Sequence, residues 1–370
     1  MDMYRDTRAE VNLGAIRENT AVIRRLMPEG TRLMAVVKGD GYGHGSVESA
    51  RAAVQGGADQ LAVAYLEEAL QLRSKGIELP ILILTPIHPS EVMLAVRHQL
   101  MVTVTHAEWF RQIGSHRDQR CKEKLKVHVK ADTGLGRIGL RTREEWDELV
   151  PWLQWDFVEV EGFYTHFATS AREDTAFLKK QHGKFLEMKE WCRASGVEVH
   201  QYHCAGSNAA LRFPELAMDM VRIGAALFGF YPEALVPDIQ LRPALSLYSK
   251  LIQVKRLRQG ECIGYDNSYV ASGDEWIGTV PIGYGDGWSQ SMQGSEILVE
   301  GRRAEVVGKI CMDQLMIRLD RKYDTGTEVV LIGSQGEDRI TVRELALHAG
   351  TVPQEISTLL SGRVERNYAD

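Results

Sequence analysis

The residues of this chain best suited to chemistry stand where apolar runs end. Leu33 to Lys38 reads LMAVVK and passes straight into GDGYGHGS, with four glycines in the seven positions after the lysine. Lys130 and Asp132 close LKVHVKAD, and the following TGLGRIG carries Arg137. His166 ends VEVEGFYTH, 205-AGSN-208 is a small-residue turn after VEVHQYHCA, and MDMVRIGA holds Arg222 just before Gly224. A lysine, two arginines and a histidine grouped with glycine-containing turns suit an anion, and above all a phosphate held by backbone N–H groups. Taken singly, each has an ordinary reading. A lysine that ends a strand usually returns the chain to solvent, His166 fits a structural hydrogen bond, and Arg222 fits an ion pair with Asp219. Their coincidence at the same ends of successive strands points to a site.

The elements that must position them can be counted. Eight apolar β-type runs, at 33–38, 60–64, 80–85, 100–105, 125–130, 158–166, 197–205 and 218–225, alternate with helical patterns such as 65-YLEEALQLRSKG-76. A further helix, 12–27, precedes the first run. Eight strand-then-helix units predict a closed (β/α)8 TIM-type barrel, whose chemistry sits at the C-terminal ends of its strands. A doubly wound open sheet is the alternative. After 232-PEALVPDIQLRP-243 the pattern changes to short alternating runs joined by turns, as in 299-VEGRR-303, with one late helix at 341-TVRELALHAG-350. This predicts a mainly antiparallel C-terminal β domain. The boundaries are 10–235 for the barrel and 236–370 for the β domain, with residues 1–9 expected to pack with the latter.

Composition narrows the class. A chain of 370 residues exceeds one ordinary domain, and 44% hydrophobic with 25% charged residues is typical of globular proteins. A net charge of −6 with no basic block argues against nucleic acid or an anionic membrane as partner. No apolar run is long enough to span a bilayer, and MDMYRDTRAE lacks the apolar core of a secretory signal. The five scattered cysteines contain no CxxC and read as reduced thiols, so the expected location is the cytoplasm. GDGYGHGS is out of register for a dinucleotide fingerprint and is followed by no GK[ST]. In 200-HQYHC-204 the two histidines alternate across a strand, so no metal site is expected.

Together AVVKGDGYGHG, DTGLGRIG, EGFYTHFA, SNAALRFP, MVRIGAALFG, IGYDNSY, PIGYGDGW and VGKICMDQ resemble the alanine racemases, which use pyridoxal 5′-phosphate (PLP). The motifs run in the family's order from about residue 4 to 366, over both predicted domains. The resemblance implies a fold-type III barrel with a C-terminal β domain, acting as a head-to-tail homodimer with shared active sites. It implies that Lys38 forms the Schiff base with PLP. Tyr42, Ser207, Gly224 and Ala225 would hold the phosphate, and Arg222 would face the pyridine nitrogen. Arg137 would lie near the phenolic oxygen and the substrate carboxylate, and His166 would link to the second base. Tyr265, Met312 and Asp313 would come from the partner chain, with Tyr284 at the entrance. Lys130 matches a lysine often carbamylated in the family, which steadies the adjacent arginine. The implied reaction is two-base interconversion of L-alanine and D-alanine by Lys38 and Tyr265, supplying D-alanine for peptidoglycan.

The chain departs from the family at Gly206, where many relatives carry asparagine before the serine, and at Gly362, where relatives usually carry an aromatic at the inner pocket wall. Its final strands look shortened, ending at Asp370. A missing ring leaves room for a larger side chain, so a serine or broad-specificity amino-acid racemase is the alternative. A diamino-acid decarboxylase on the same barrel would need a partner cysteine–aspartate loop that Cys311-Met312-Asp313 matches only superficially. A PLP carrier would have no need of Tyr265.

Overall fold

The computed structural model describes residues 5–370 except 115 and 117–119. Residues 1–4 of the segment expected to pack with the β domain lie outside the described residues. Two compact units emerge: Ala15–Gly41 with Ser46–Arg242, and the described residues up to Gly14 with Tyr42–Gly45 and Pro243–Asp370. β1 (Arg8–Asn12) is part of the latter.

The first unit is built on eight parallel strands: β2 (Arg32–Val36), β3 (Gln60–Val63), β4 (Ile81–Ile83), β5 (Leu100–Val104), β6 (Leu125–Lys130), β7 (Val158–Tyr164), β8 (Gln201–His203) and β9 (Met220–Ile223). They hydrogen-bond in the order β8-β7-β6-β5-β4-β3-β2-β9. The ends of that order are joined by the bridge Gly206↔Arg222, by Asp219 N–H to Tyr202 O (3.1 Å) and by Arg222 N–H to Ala205 O (3.0 Å). An open doubly wound sheet would leave two free edges; this sheet closes. Each strand sits where an apolar run is expected; β6 keeps the full span of its run, Lys130 included, while the other seven are shorter. Strand side chains alternate, so Lys126, His128 and Lys130 of β6 share one face while Leu125, Val127 and Val129, none of them exposed, share the other. Helix Leu66–Ser74 begins after Tyr65 with Glu68 reaching back to the backbone, and Gly76 follows it at φ 78°.

In the second unit the strands are β10 (Leu245–Lys250), β11 (Gln253–Leu257), β12 (Cys262–Ile263), β13 (Tyr269–Val270), β14 (Glu275–Val280), β15 (Glu296–Val299), β16 (Arg302–Val307), β17 (Leu315–Leu319), β18 (Glu328–Gln335), β19 (Asp338–Ile340) and β20 (Glu365–Ala369). Every pairing within this unit is antiparallel except β1 with β20. The expected turn at VEGRR is the β15–β16 hairpin, with Glu300 and Gly301 at φ 47° and 76°. Leu257, Ile263, Ala271, Ile277, Val307 and Met316 form a core cluster of this unit. Sequence periodicity did not announce the helix Pro353–Leu359 or β20, whose five residues ERNYA pair along β1 where a shortened end was expected. Among the described residues no helix is long and apolar enough to cross a membrane.

Candidate active site

Lys38 is not the last residue of its strand. β2 stops at Val36, and Lys38 opens a turn of left-handed helix: Gly39, Asp40 and Gly41 lie at φ/ψ 61/47, 50/51 and 61/42°, and Tyr42 follows at φ 54°. Val37 O accepts the Gly41 N–H at 2.9 Å and Asp40 Oδ1 accepts the Ser46 N–H at 2.9 Å. The glycines are therefore required by a fixed left-handed turn rather than by a pliant loop. Burial lowers the Lys38 amine below its ordinary range, Arg137 adds to this, and Glu68 opposes it.

Inside the barrel a polar chain runs to the same mouth. Arg222, 5% exposed, donates from one guanidinium nitrogen to His203 Nδ1 (2.7 Å) and from another to Thr165 O (2.6 Å) and His166 Nδ1 (3.2 Å). A guanidinium has no acceptor, so both imidazoles accept through Nδ1 and carry their proton on Nε2. His203 Nε2 then donates to His128 Nδ1 at 2.9 Å. The titration directions agree. Burial holds His203 and His166 well below the ordinary histidine range, with Arg222 reinforcing, and burial pushes His128 down to about 3. Arg222 sits 5.0 Å over the Tyr164 ring, which stacks on His203 at 4.9 Å. Asp219 is not its ion partner: Asp219 Oδ2 accepts the Tyr202 N–H at 2.7 Å.

Lys130, 2% exposed, donates to Ala131 O at 2.7 Å. Burial, then Arg222 and Arg137, lower it to about 7 against the pull of Asp132. Asp132 Oδ1 accepts the N–H groups of Gly134 and Gly136 at 3.0 Å each, shaping the loop that carries Arg137. Ser207 opens the helix Ser207–Arg212, and its Oγ accepts from Gly224 N–H (3.0 Å) and Ala226 N–H (3.3 Å). Gly224 N–H is thus engaged by Ser207, while the Ser207 and Ala225 N–H groups meet no acceptor among the described residues. A Cβ at Gly206 would stand 3.0 Å from His166 Cε1, so glycine leaves that ring its room.

The remaining predicted residues belong to the other unit. Tyr265 heads a turn in which Gly264, Asp266 and Asn267 all have positive φ (81°, 57°, 49°), tied by Ser268 Oγ accepting Lys309 N–H at 2.9 Å and by a Lys309–Asp266 ion pair. Tyr265 as a residue is 68% exposed. Tyr284 and Gly285 N–H groups donate to Cys311 O (3.0 Å) and Met312 O (2.9 Å). That zipper needs glycine, since a Cβ at Gly283 would lie 2.2 Å from Cys311 O. Asp313 Oδ1 accepts from Arg363 at 2.6 Å, and Arg363 Nε also lies 3.2 Å from the buried Asp286. Tyr42, part of the same unit, has its phenol pushed up to about 12 by burial. Tyr284, Met312 and Asp313 are therefore gathered into one patch.

Residues 11–232 match the family model for the alanine racemase N-terminal domain, and 244–368 that for its C-terminal domain. The chain is 43% identical to alanine racemase of Geobacillus kaustophilus, over 99% of its own length and 95% of that protein's. The chain belongs to the alanine racemase family. Alanine racemase of Bacillus anthracis, solved with bound L-Ala-P, superposes with a TM-score of 0.97 at 41% identity, covering 100% of this chain and 96% of that one. A histidine racemase from Leuconostoc mesenteroides subsp. sake superposes at 0.88 with 31% identity, covering 100% and 99%.

Within this alanine racemase fold the barrel mouth fits PLP by the chemistry of its donors. Lys38 offers an amine whose protonation is disfavoured, Arg222 a buried donor, and Ser207 and Ala225 N–H groups lacking protein acceptors. Sequence reasoning weighed His203 only as a metal ligand and passed over His128, Tyr164 and Glu68. His128 alternates along β6 with Lys130, and Tyr164 stands two residues before His166, so alternation was the signal available for these two.

Proposed function

We propose that this protein is a cytoplasmic, homodimeric, PLP-dependent racemase that interconverts L-alanine and D-alanine by a two-base mechanism and so supplies D-alanine to the cell wall. The observation that carries the reading is a lysine amine disfavoured from protonation at a barrel mouth shared with the Arg222–His166 pair, in a chain matched along its length by alanine racemases. When bound, PLP supplies the sink for the electron pair left at Cα. The residues do the rest. Lys38 carries the cofactor and, once released, holds or takes up the proton on one face of Cα. Arg222 would face the ring nitrogen of the bound cofactor, and a guanidinium, which keeps its proton, would leave that nitrogen unprotonated and so limit side chemistry. Ser207 and Ala225 would hold the phosphate through their N–H groups, while Gly224 braces Ser207. Arg137 binds the substrate carboxylate. Lys130, lowered to about 7, holds an appreciable neutral fraction and is suited to carbamylation, which would convert it into an anion for Arg137.

The second base is Tyr265 of the partner subunit, with Met312, Asp313 and Tyr284 of the same patch shaping the pocket and its entrance. Its support is the exposure of Tyr265 on a rigid turn: a side chain held ready by its backbone and bare on its outer face. The test is borohydride reduction of the holoenzyme followed by peptide mapping. A phosphopyridoxyl group on Lys38 is expected; one on Lys130 would overturn the assignment.

One observation favours a wider substrate range that includes serine. Gly362 lies on an exposed turn where an added Cβ would meet nothing within 4 Å, and a relative of this fold is a histidine racemase.

A further inference from the structure

The turn that delivers Lys38 is a costly one. A left-handed conformation disfavours a residue other than glycine by about 1–2 kcal/mol, and two of the four residues after Lys38 are Asp40 and Tyr42. Such a turn persists only where its surroundings over-determine it. Glu68, in the first turn of helix Leu66–Ser74, is the group that reaches it. Its Oε1 accepts the Gly39 N–H at 2.7 Å, while its Oε2 accepts the N–H groups of Ala64 (2.7 Å) and Tyr65 (3.1 Å). One carboxylate thus ties the residue after Lys38 to the end of β3 and to the start of the next helix. A helix cap alone would have no reason to hold Gly39. Charge adds a second link. Of the groups acting on Lys38, Arg137 disfavours the ammonium and Glu68 favours it, while the neighbouring His166 is neutral.

We propose that Glu68 is a positioning residue for Lys38, anchoring the left-handed turn that carries the amine and setting the charge balance around it. The inference rests on the reading of Lys38 as the cofactor-bearing, proton-transferring lysine. A neutral amide at 68 could accept from one side but would press its own NH2 against donors on the other. A shorter aspartate keeps the charge and loses the span.

The experiment compares Glu68→Gln and Glu68→Asp with Glu67→Gln, an exposed acid on the same helical turn. In the full-length chain freed of cofactor, the Lys38 amine is labelled competitively with acetic anhydride across pH and read by peptide mass spectrometry. Glu68→Gln should move the midpoint to lower pH, so that labelling near neutral pH is severalfold faster; Glu68→Asp and Glu67→Gln should keep the wild-type midpoint. In the holoenzymes, kcat should fall about 10- to 100-fold in both Glu68 variants with KM little changed, as expected for a misplaced reacting group. A wild-type labelling midpoint in Glu68→Gln, or a kcat loss no greater than that of Glu67→Gln, overturns the proposal. If Glu68→Gln does not fold, the kcat of Glu68→Asp decides. Retention of activity by Lys38→Ala would instead overturn the reading of Lys38, and the labelling midpoint would still report on Glu68.

Discussion

Arg222 in the barrel and Tyr265 in the C-terminal unit stand at opposite extremes. Arg222 is almost wholly buried and commits its guanidinium to two imidazoles and three backbone carbonyls. Tyr265 is mostly exposed, and what is fixed about it is its backbone: three positive-φ residues and a lysine that pins the turn. Met312 and Tyr284 follow the pattern of Tyr265, with half-exposed side chains on a tightly zipped backbone. The barrel mouth is organised side chain to side chain within one chain. The C-terminal patch instead has side-chain tips left exposed on a backbone fixed by turns and hydrogen bonds.

The contrast breaks most sharply at Lys38. Lys38→Ala should reduce racemisation to background, because the amine both holds the cofactor and moves a proton, and groups that act as a unit fail together. Loss of the borohydride label from the peptide, with an unchanged circular dichroism spectrum, would separate this from misfolding.

Tyr265→Phe tests the bare tip. Removing one proton-transfer group should lower kcat by about 10²–10⁴-fold and leave cofactor binding unchanged. The sharper form mixes this variant with Lys38→Ala. A mixed dimer contains one site with both bases intact, so activity should return on subunit exchange. Exchange confirmed by mass-tagged chains without any recovery would mean that the two groups serve the same chain.

The buried side of the comparison makes a prediction about pH. His128 and His203 are wholly buried and held neutral, chiefly by desolvation. In the unfolded chain they take up protons below about pH 6.5. There the unfolded state binds more protons than the folded one, so stability is full above that pH and is lost as pH falls toward the depressed folded values. The slope is at most about 1.4 kcal/mol per pH unit for each histidine. Urea titrations between about pH 4.5 and 7 should therefore give a flatter dependence, by close to one proton, in His128→Asn, whose amide oxygen can replace the Nδ1 acceptor. An unchanged slope would mean that His128 is protonated in the folded barrel.

The same contrast explains what could be read from the sequence. The barrel was legible because parallel strands covered on both faces are continuous apolar runs, and the polar residue that ends each run is conspicuous: Lys38, Lys130, His166 and Arg222 all stood out. The left-handed turn after Lys38 was only half legible. Its glycines were visible, but the over-determination by Glu68 comes from a residue 29 positions away that reads as an ordinary helix-capping acid. Arg222 was read against Asp219, its neighbour in sequence, whereas its partners His203 and His166 come from other strands. In the C-terminal unit nothing in period or composition marks Tyr265, Met312 or Asp313, because they stand on short irregular turns; only whole motifs singled them out. β20 escaped notice because ERNYA is polar: it is an edge strand with three of its five residues exposed.

The smallest expected effect concerns Gly362, where the exposed patch meets the question of substrate. Gly362 and Arg363 form an exposed turn, and Arg363 reaches both Asp286 and Asp313. The backbone at this point is thus tied to the Tyr284 turn through Asp286, which also accepts the Gly283 N–H at 3.0 Å. An added Cβ at Gly362 meets nothing within 4 Å, so a side chain can start there without displacing those contacts. An aromatic wall would act on specificity by excluding bulk, and a difference of one small group in an apolar pocket amounts to about 1–3 kcal/mol, or roughly 10- to 200-fold. Wild type should therefore racemise serine measurably while still preferring alanine. Gly362→Tyr should raise the kcat/KM ratio of L-alanine to L-serine by about tenfold, with little change in melting temperature. The ratio, measured with both substrates on the same preparation, decides the matter. If tyrosine leaves it unchanged, position 362 does not line the pocket and selectivity lies in the barrel mouth.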